Sequence, residues 1–149
     1  MLRKPSRDFT ATAFVVWRGK TLLHKHKKLN LWLPCGGHIE ANELPDEAAV
    51  REVKEESGVD IILTGERALD TGDPVQLVRP RGVQLETIHE GHEHIDLIYF
   101  AKPVPTYAGH LRVDDSTLGW YGPDDLRMMD LTEEIRAWLR LVFVELGTA

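Results

Sequence analysis

Six glutamates fall within residues 37–59, GHIEANELPDEAAVREVKEESGV. Three of them, Glu52, Glu55 and Glu56, are spaced for one helical face: at about 100° per residue their side chains share a sector of roughly 100°. Like charges at i, i+3 and i, i+4 repel by about 0.2–0.5 kcal/mol per pair on an exposed helix, and by more where water is excluded. A cation would offset that repulsion. A hard divalent ion such as Mg²⁺ takes oxygen ligands, keeps several waters and is commonly shared between one or two carboxylates and substrate phosphates. The competing reading is a solvated acidic face steadied by the pairs Glu47–Arg51 and Arg51–Glu55. Just upstream, Gly36–Gly37 marks backbone that needs unusual dihedrals or close approach by another group, and it leaves carbonyls room to turn inward as ligands.

The elements that must position these groups are partly written in the pattern. Pro45 suits the first turn of a helix, Asp46 and Glu47 favour its positive end, and Gly58 fits just past its last residue. A helix over 45–57 is therefore predicted. Val50 and Val53 would seat it on a core, while Ala48 and Ala49 would lie toward the carboxylates and leave room above them. Residues 10–17, TATAFVVW, and 21–23 read as a β-hairpin about the turn 18–20. The basic run HKHKK at 24–28 reads as a loop facing solvent or a polyanion, and LWLP at 31–34 as a short strand. Further strands are expected near 59–68, 83–89 and 94–101. The connections 70–82 and 102–117, rich in proline, glycine and aspartate, are expected to carry specificity. A last helix, 131–146, repeats Ile135, Leu139, Val142, Phe143 and Leu146 on one face, with Asp130 and Glu133 as its capping box.

Bulk properties narrow the class. A chain of 149 residues is expected to form one domain, 1–149, with a single core. No apolar run approaches the roughly 20 residues of a membrane span, and MLRKPSRDF resembles neither a secretory signal nor a transit peptide. One cysteine, Cys35, fits a reducing cytoplasm and reads as a packed residue, not a nucleophile. The net charge of -6 argues against a nonspecific grip on nucleic acid. The run HEGHEHID at 89–96 allows His92, His94 and Asp96 to share a strand face, which fits either zinc or contact with a substrate in the cleft.

The glutamate stretch resembles the Nudix box: Gly37, Glu43, Arg51, Glu52, Val53, Glu55, Glu56, Gly58 and Val59 occupy its constrained positions at its spacing. The resemblance implies an α/β fold, a Nudix-like α/β/α sandwich with a mixed β-sheet between helices. It also implies hydrolysis of a phosphoanhydride bond in a nucleoside diphosphate derivative, such as a nucleoside di- or triphosphate or nucleotide sugar, with Mg²⁺ or Mn²⁺. On that pattern Glu52, Glu55, Glu56 and the Gly36 carbonyl would hold metal, and Glu52 would serve as general base. Glu43 would act through water or orient the site, Arg51 would hold a box glutamate, and Asp115, beside Asp114, would be a further acidic ligand or base. Lys25, His38 and His94 would meet substrate. The alternative is a Nudix-fold module that binds a nucleotide without turnover; processing of RNA 5′ ends is disfavoured by the acidic charge.

Overall fold

The computed structural model describes residues 3–147, so Met1 and Leu2 of the N-terminal stretch read above lie outside the described residues. In chain order the elements are β1 (Ser6–Trp17), β2 (Lys20–His26), β3 (Leu31–Leu33), β4 (Cys35–His38), α1 (Pro45–Ser57), β5 (Ile61–Leu63), β6 (Gly82–His89), β7 (His92–Pro103), β8 (Gly119–Tyr121), α2 (Pro123–Met128) and α3 (Glu133–Leu146). No described helix is long and apolar enough to cross a membrane.

Strand β1 is the spine. It runs parallel to β7 from Ser6 opposite His92 to Val15 opposite Ala101. Its middle also pairs antiparallel with β4, and its end with β2. Arg18 and Gly19 both take positive φ, which gives the hairpin turn the twist its strands require. Strands β6 and β5 flank β7, and β3 and β8 flank β2, completing a mixed sheet.

Alternation along β1 splits the core in two. Ala11, Ala13 and Val15 pack with Tyr99 beneath Ala48, Ala49 and Val53 of α1. Phe14 and Val16 face the other way, with Ile98 and Phe100, against Ile135, Leu139 and Val142 of α3. Helices on both faces of a mixed sheet make the expected α/β/α sandwich. On the α3 side the sheet face is apolar only over part of its length: Asp8, Thr10 and Thr12 precede Phe14, and His94 and Asp96 precede Ile98. This polar half borders a cleft.

Several local expectations change. Ala48 and Ala49 are completely buried; their small side chains let α1 lie close on the sheet instead of leaving space above the carboxylates. His24, Lys25 and His26 belong to β2, and the turn begins only at Lys27, because pairing with β3 and β8 outweighs the charge of the run. The strand expected over 59–68 shortens to Ile61–Leu63. The helix α2 was not expected, although Pro123 at its start and two acidic residues in its first turn are its signature. Helix α3 is capped by Thr132, whose hydroxyl accepts from the Ile135 amide at 3.2 Å, and not by Asp130.

Candidate active site

Strand β4 explains the glycine pair. Neither Gly36 nor Gly37 has positive φ, so close approach is what requires them. A Cβ on Gly37 would lie 2.5 Å from the Glu52 carboxyl, and one on Gly36 would strike Thr12 Oγ1 at 2.5 Å and the Ala11 carbonyl at 2.7 Å. The Glu52 carboxylate thus rests in a cradle that any side chain would fill. Glu56 reaches the same strand, its Oε1 accepting from the Gly36 amide at 2.8 Å. Glu52, Glu56, Gly36 and Gly37 line one cleft of about 650 Å³.

Arg51 organises the surrounding acids. Its guanidinium grips Glu43 through two bonds, Nε to Oε2 at 2.7 Å and Nη2 to Oε1 at 3.0 Å. Nη1 donates to Glu52 at 2.9 Å and Glu55 at 3.1 Å, and Nη2 to the His38 carbonyl at 2.9 Å. The bonds from Arg51 hold Glu43 below the usual carboxylate range. The expected Glu47–Arg51 pair does not form, because these four partners take the guanidinium. Glu55 is the outermost box acid, its side chain 58% exposed.

Glu56 is pushed up to about 7, chiefly by burial, with Glu52, Glu55 and Asp115 adding repulsion and the Gly36 amide opposing it. Acids that cannot all ionise comfortably, in a cleft backed by glycine, form an oxygen-rich donor set that suits a hard divalent cation. His24, unnoticed in the sequence, completes this corner: Nε2 lies 3.3 Å from Glu56 and Nδ1 3.7 Å from Asp115. Burial holds its imidazole below the ordinary value. The signal was available, since alternation in HKHKK would put His24 and His26 on one strand face.

The same alternation turns Lys25 away. Its ammonium lies 5.9 Å from the centre of the Trp32 ring, and it does not line the cleft, whereas Lys28 does. Asp115 is fixed by Thr117, whose amide and hydroxyl donate to it at 2.9 and 2.7 Å, while Asp114 turns to Arg112. No described lining residue comes from 70–82 or 102–117; β6 and the start of α3 supply Gln84, Glu86 and Glu134 instead. Cys35 is buried beneath this corner, and burial together with Glu56 raises its thiol. His38, His92 and His94 stand at the lip of the cleft.

Asp96, in the polar half of β7, is 4% exposed and accepts from the Thr10 and Thr12 hydroxyls at 2.9 Å. Burial, then Glu86, pushes its carboxyl up to about 8, against an ordinary 3.8. The folded chain therefore binds the extra proton between these values, and stability from this group is full below the lower and lost as pH rises through the higher. Asp96→Asn, which mimics the protonated acid, is expected to flatten the fall in urea midpoint from about pH 5 to 9. Parallel wild-type and variant unfolding curves check this; equal slopes would show that Asp96 does not carry the effect.

A family model described as the NUDIX domain matches residues 7–142. Among solved structures, a NUDIX-family hydrolase from Clostridium perfringens is 34% identical, with 95% of this chain and 99% of that one covered and a TM-score of 0.79. A MutT NUDIX hydrolase from Burkholderia pseudomallei is 27% identical over 92% and 98% of the two chains, with a TM-score of 0.64. A MutT protein from Methanosarcina mazei, 17% identical over 97% and 98%, shares the fold with a TM-score of 0.67.

Proposed function

The chain belongs to the Nudix hydrolase family, and from that membership we propose a single-domain, divalent-metal-dependent pyrophosphohydrolase that cleaves a phosphoanhydride bond in a nucleoside diphosphate derivative. Nucleoside di- and triphosphates and nucleotide sugars are the substrate class. The observation that carries this reading is the Glu52 carboxylate seated over Gly37 beside a half-buried Glu56 in one cleft.

Glu52, Glu55 and Glu56, with the Gly36 carbonyl, are the groups that would hold Mg²⁺ or Mn²⁺. When bound, such an ion supplies charge withdrawal from a phosphate oxygen and a more acidic water. Arg51 binds one Glu52 oxygen, leaving the second to accept a proton from the attacking water as general base. Glu43, gripped by Arg51, sets the guanidinium that in turn fixes Glu52. Asp115, anchored by Thr117 and facing His24, adds a second acceptor next to Glu56. Lys28 and His38 on the cleft wall offer donors to the phosphates. The lone buried thiol suits a reducing cytoplasm.

A panel of nucleoside triphosphates, nucleotide sugars and dinucleoside polyphosphates, scored by phosphate or pyrophosphate release, tests the proposal. Turnover of at least one compound, dependent on Mg²⁺ or Mn²⁺, is the expected outcome. Tight binding across the panel without turnover would overturn it in favour of a non-catalytic nucleotide-binding module.

A further inference from the structure

At the lip of the cleft, four ligand-type side chains from three strands converge: Asp8 on β1, His38 on β4, and His92 and His94 on β7. Nε2 of His38 and Nε2 of His92 lie 3.2 and 3.4 Å from the same oxygen, Asp8 Oδ2. Donor atoms of Asp8, His92 and His94 all fall within 4.8 Å of one another. The His94 ring centre is 5.0 Å from that of His38 and 5.1 Å from that of His92. Backbone pairing holds this arrangement, with Asp8 opposite His94 in the parallel ladder and Thr10 opposite His38 in the antiparallel one.

A hydrogen bond orients the His92 ring. The Ser6 hydroxyl, which lies 3.2 Å from the Gly91 carbonyl, contacts His92 Nδ1 at 2.8 Å and so turns Nε2 toward Asp8. Fixing the far ring nitrogen in this way is also how proteins orient a ligating histidine. Arg7 is engaged outside this cluster, its Nε donating to Glu93 at 2.8 Å.

The donor types select the ion. Zn–N and Zn–O bonds of about 2.0–2.2 Å in a tetrahedron put ligand atoms roughly 3.3–3.5 Å apart, a spacing that His92 Nε2 and Asp8 Oδ2, 3.4 Å apart, already have. Two imidazoles and one carboxylate suit Zn²⁺ and its neighbours Ni²⁺ and Cu²⁺, with a position left for water, whereas Mg²⁺ prefers an all-oxygen shell. We infer that Asp8, His92 and His94 form a second metal site for a zinc-class cation, with His38 beside it, distinct in chemistry from the glutamates of α1. It would tie β1 and β7 together at the cleft entrance, next to His38, whose carbonyl receives Arg51.

The test uses the metal-stripped full chain, titrated with Zn²⁺ in excess Mg²⁺ by calorimetry, with retained metal measured by mass spectrometry after gel filtration. One Zn²⁺ per chain is expected, bound at least about 10-fold more weakly in His92→Gln/His94→Gln and unchanged in Glu52→Gln/Glu56→Gln. Co²⁺ in place of Zn²⁺ should give the visible absorption of a tetrahedral site, lost in the same histidine variant. Asp8→Asn, at an exposed strand position, should weaken binding too and serves if the double variant does not fold. No Zn²⁺ retained against Mg²⁺, or retention that survives the histidine and Asp8 changes but not the glutamate ones, would overturn the assignment.

Discussion

Replacing Glu52 and Glu56 together by glutamine is expected to lower kcat about 10³-fold or more on any nucleotide the chain hydrolyses, while leaving it folded. Glutamine keeps the shape of each side chain and removes its charge. In the apo protein that removal relieves repulsion, since Glu56 is already pushed up to about 7 by burial and by Glu52, Glu55 and Asp115. The melting temperature should therefore hold or rise as activity falls, a combination that separates lost chemistry from lost structure. Steady-state rates at saturating Mg²⁺, read beside thermal melts, check both halves. Wild-type turnover in the double variant would remove these carboxylates from the mechanism.

Gly37→Ala should separate function from stability in a different way. The added methyl would sit 2.5 Å from the Glu52 carboxyl carbon and Oε1, and the obstructing atoms are the far end of a flexible side chain. The carboxylate moves and the backbone stays. A displacement of about 1 Å at such a group costs on the order of 10²-fold in rate, so activity should collapse with little change in melting. Gly36→Ala is the contrasting control. There the new methyl meets the Ala11 carbonyl and the Thr12 backbone, which cannot swing aside, and the fold itself should be destabilised. Full activity in Gly37→Ala would mean that Glu52 is not held over this strand during turnover.

What could be read from the sequence was local. Pro45, the acidic first turn and Gly58 defined α1 to the residue because each acts within its own helix. The carboxylate spacing on α1 follows from the same periodicity. His24 and Lys25 exchanged roles because the basic run looked like a loop until its pairing with β3 and β8 made it a strand, and strand alternation then decided which side chain faced the cleft. Asp8 gave no signal at all. It meets His92 and His94 only through a parallel pairing whose partners are 86 residues apart in the chain, and no local pattern fixes such a register. The substrate-facing surface was likewise assigned to the loops 70–82 and 102–117, whereas part of it comes from β6 and α3, elements whose polar residues read as ordinary surface.

The parallel pairing of β1 with β7 makes catalytic competence a proofreader of assembly. One face of this ribbon carries Asp8, Thr10, Thr12, His94 and Asp96, and the other carries Ala11, Ala13, Leu97 and Tyr99. A slip of one residue would exchange the faces, pressing aspartates and an imidazole under α1 while leaving the cleft floor greasy. Such a chain could keep much of its secondary structure and a respectable circular dichroism spectrum. Specific activity per milligram is thus the more discerning gauge of a refolded preparation, because a single mis-set rung would erase it.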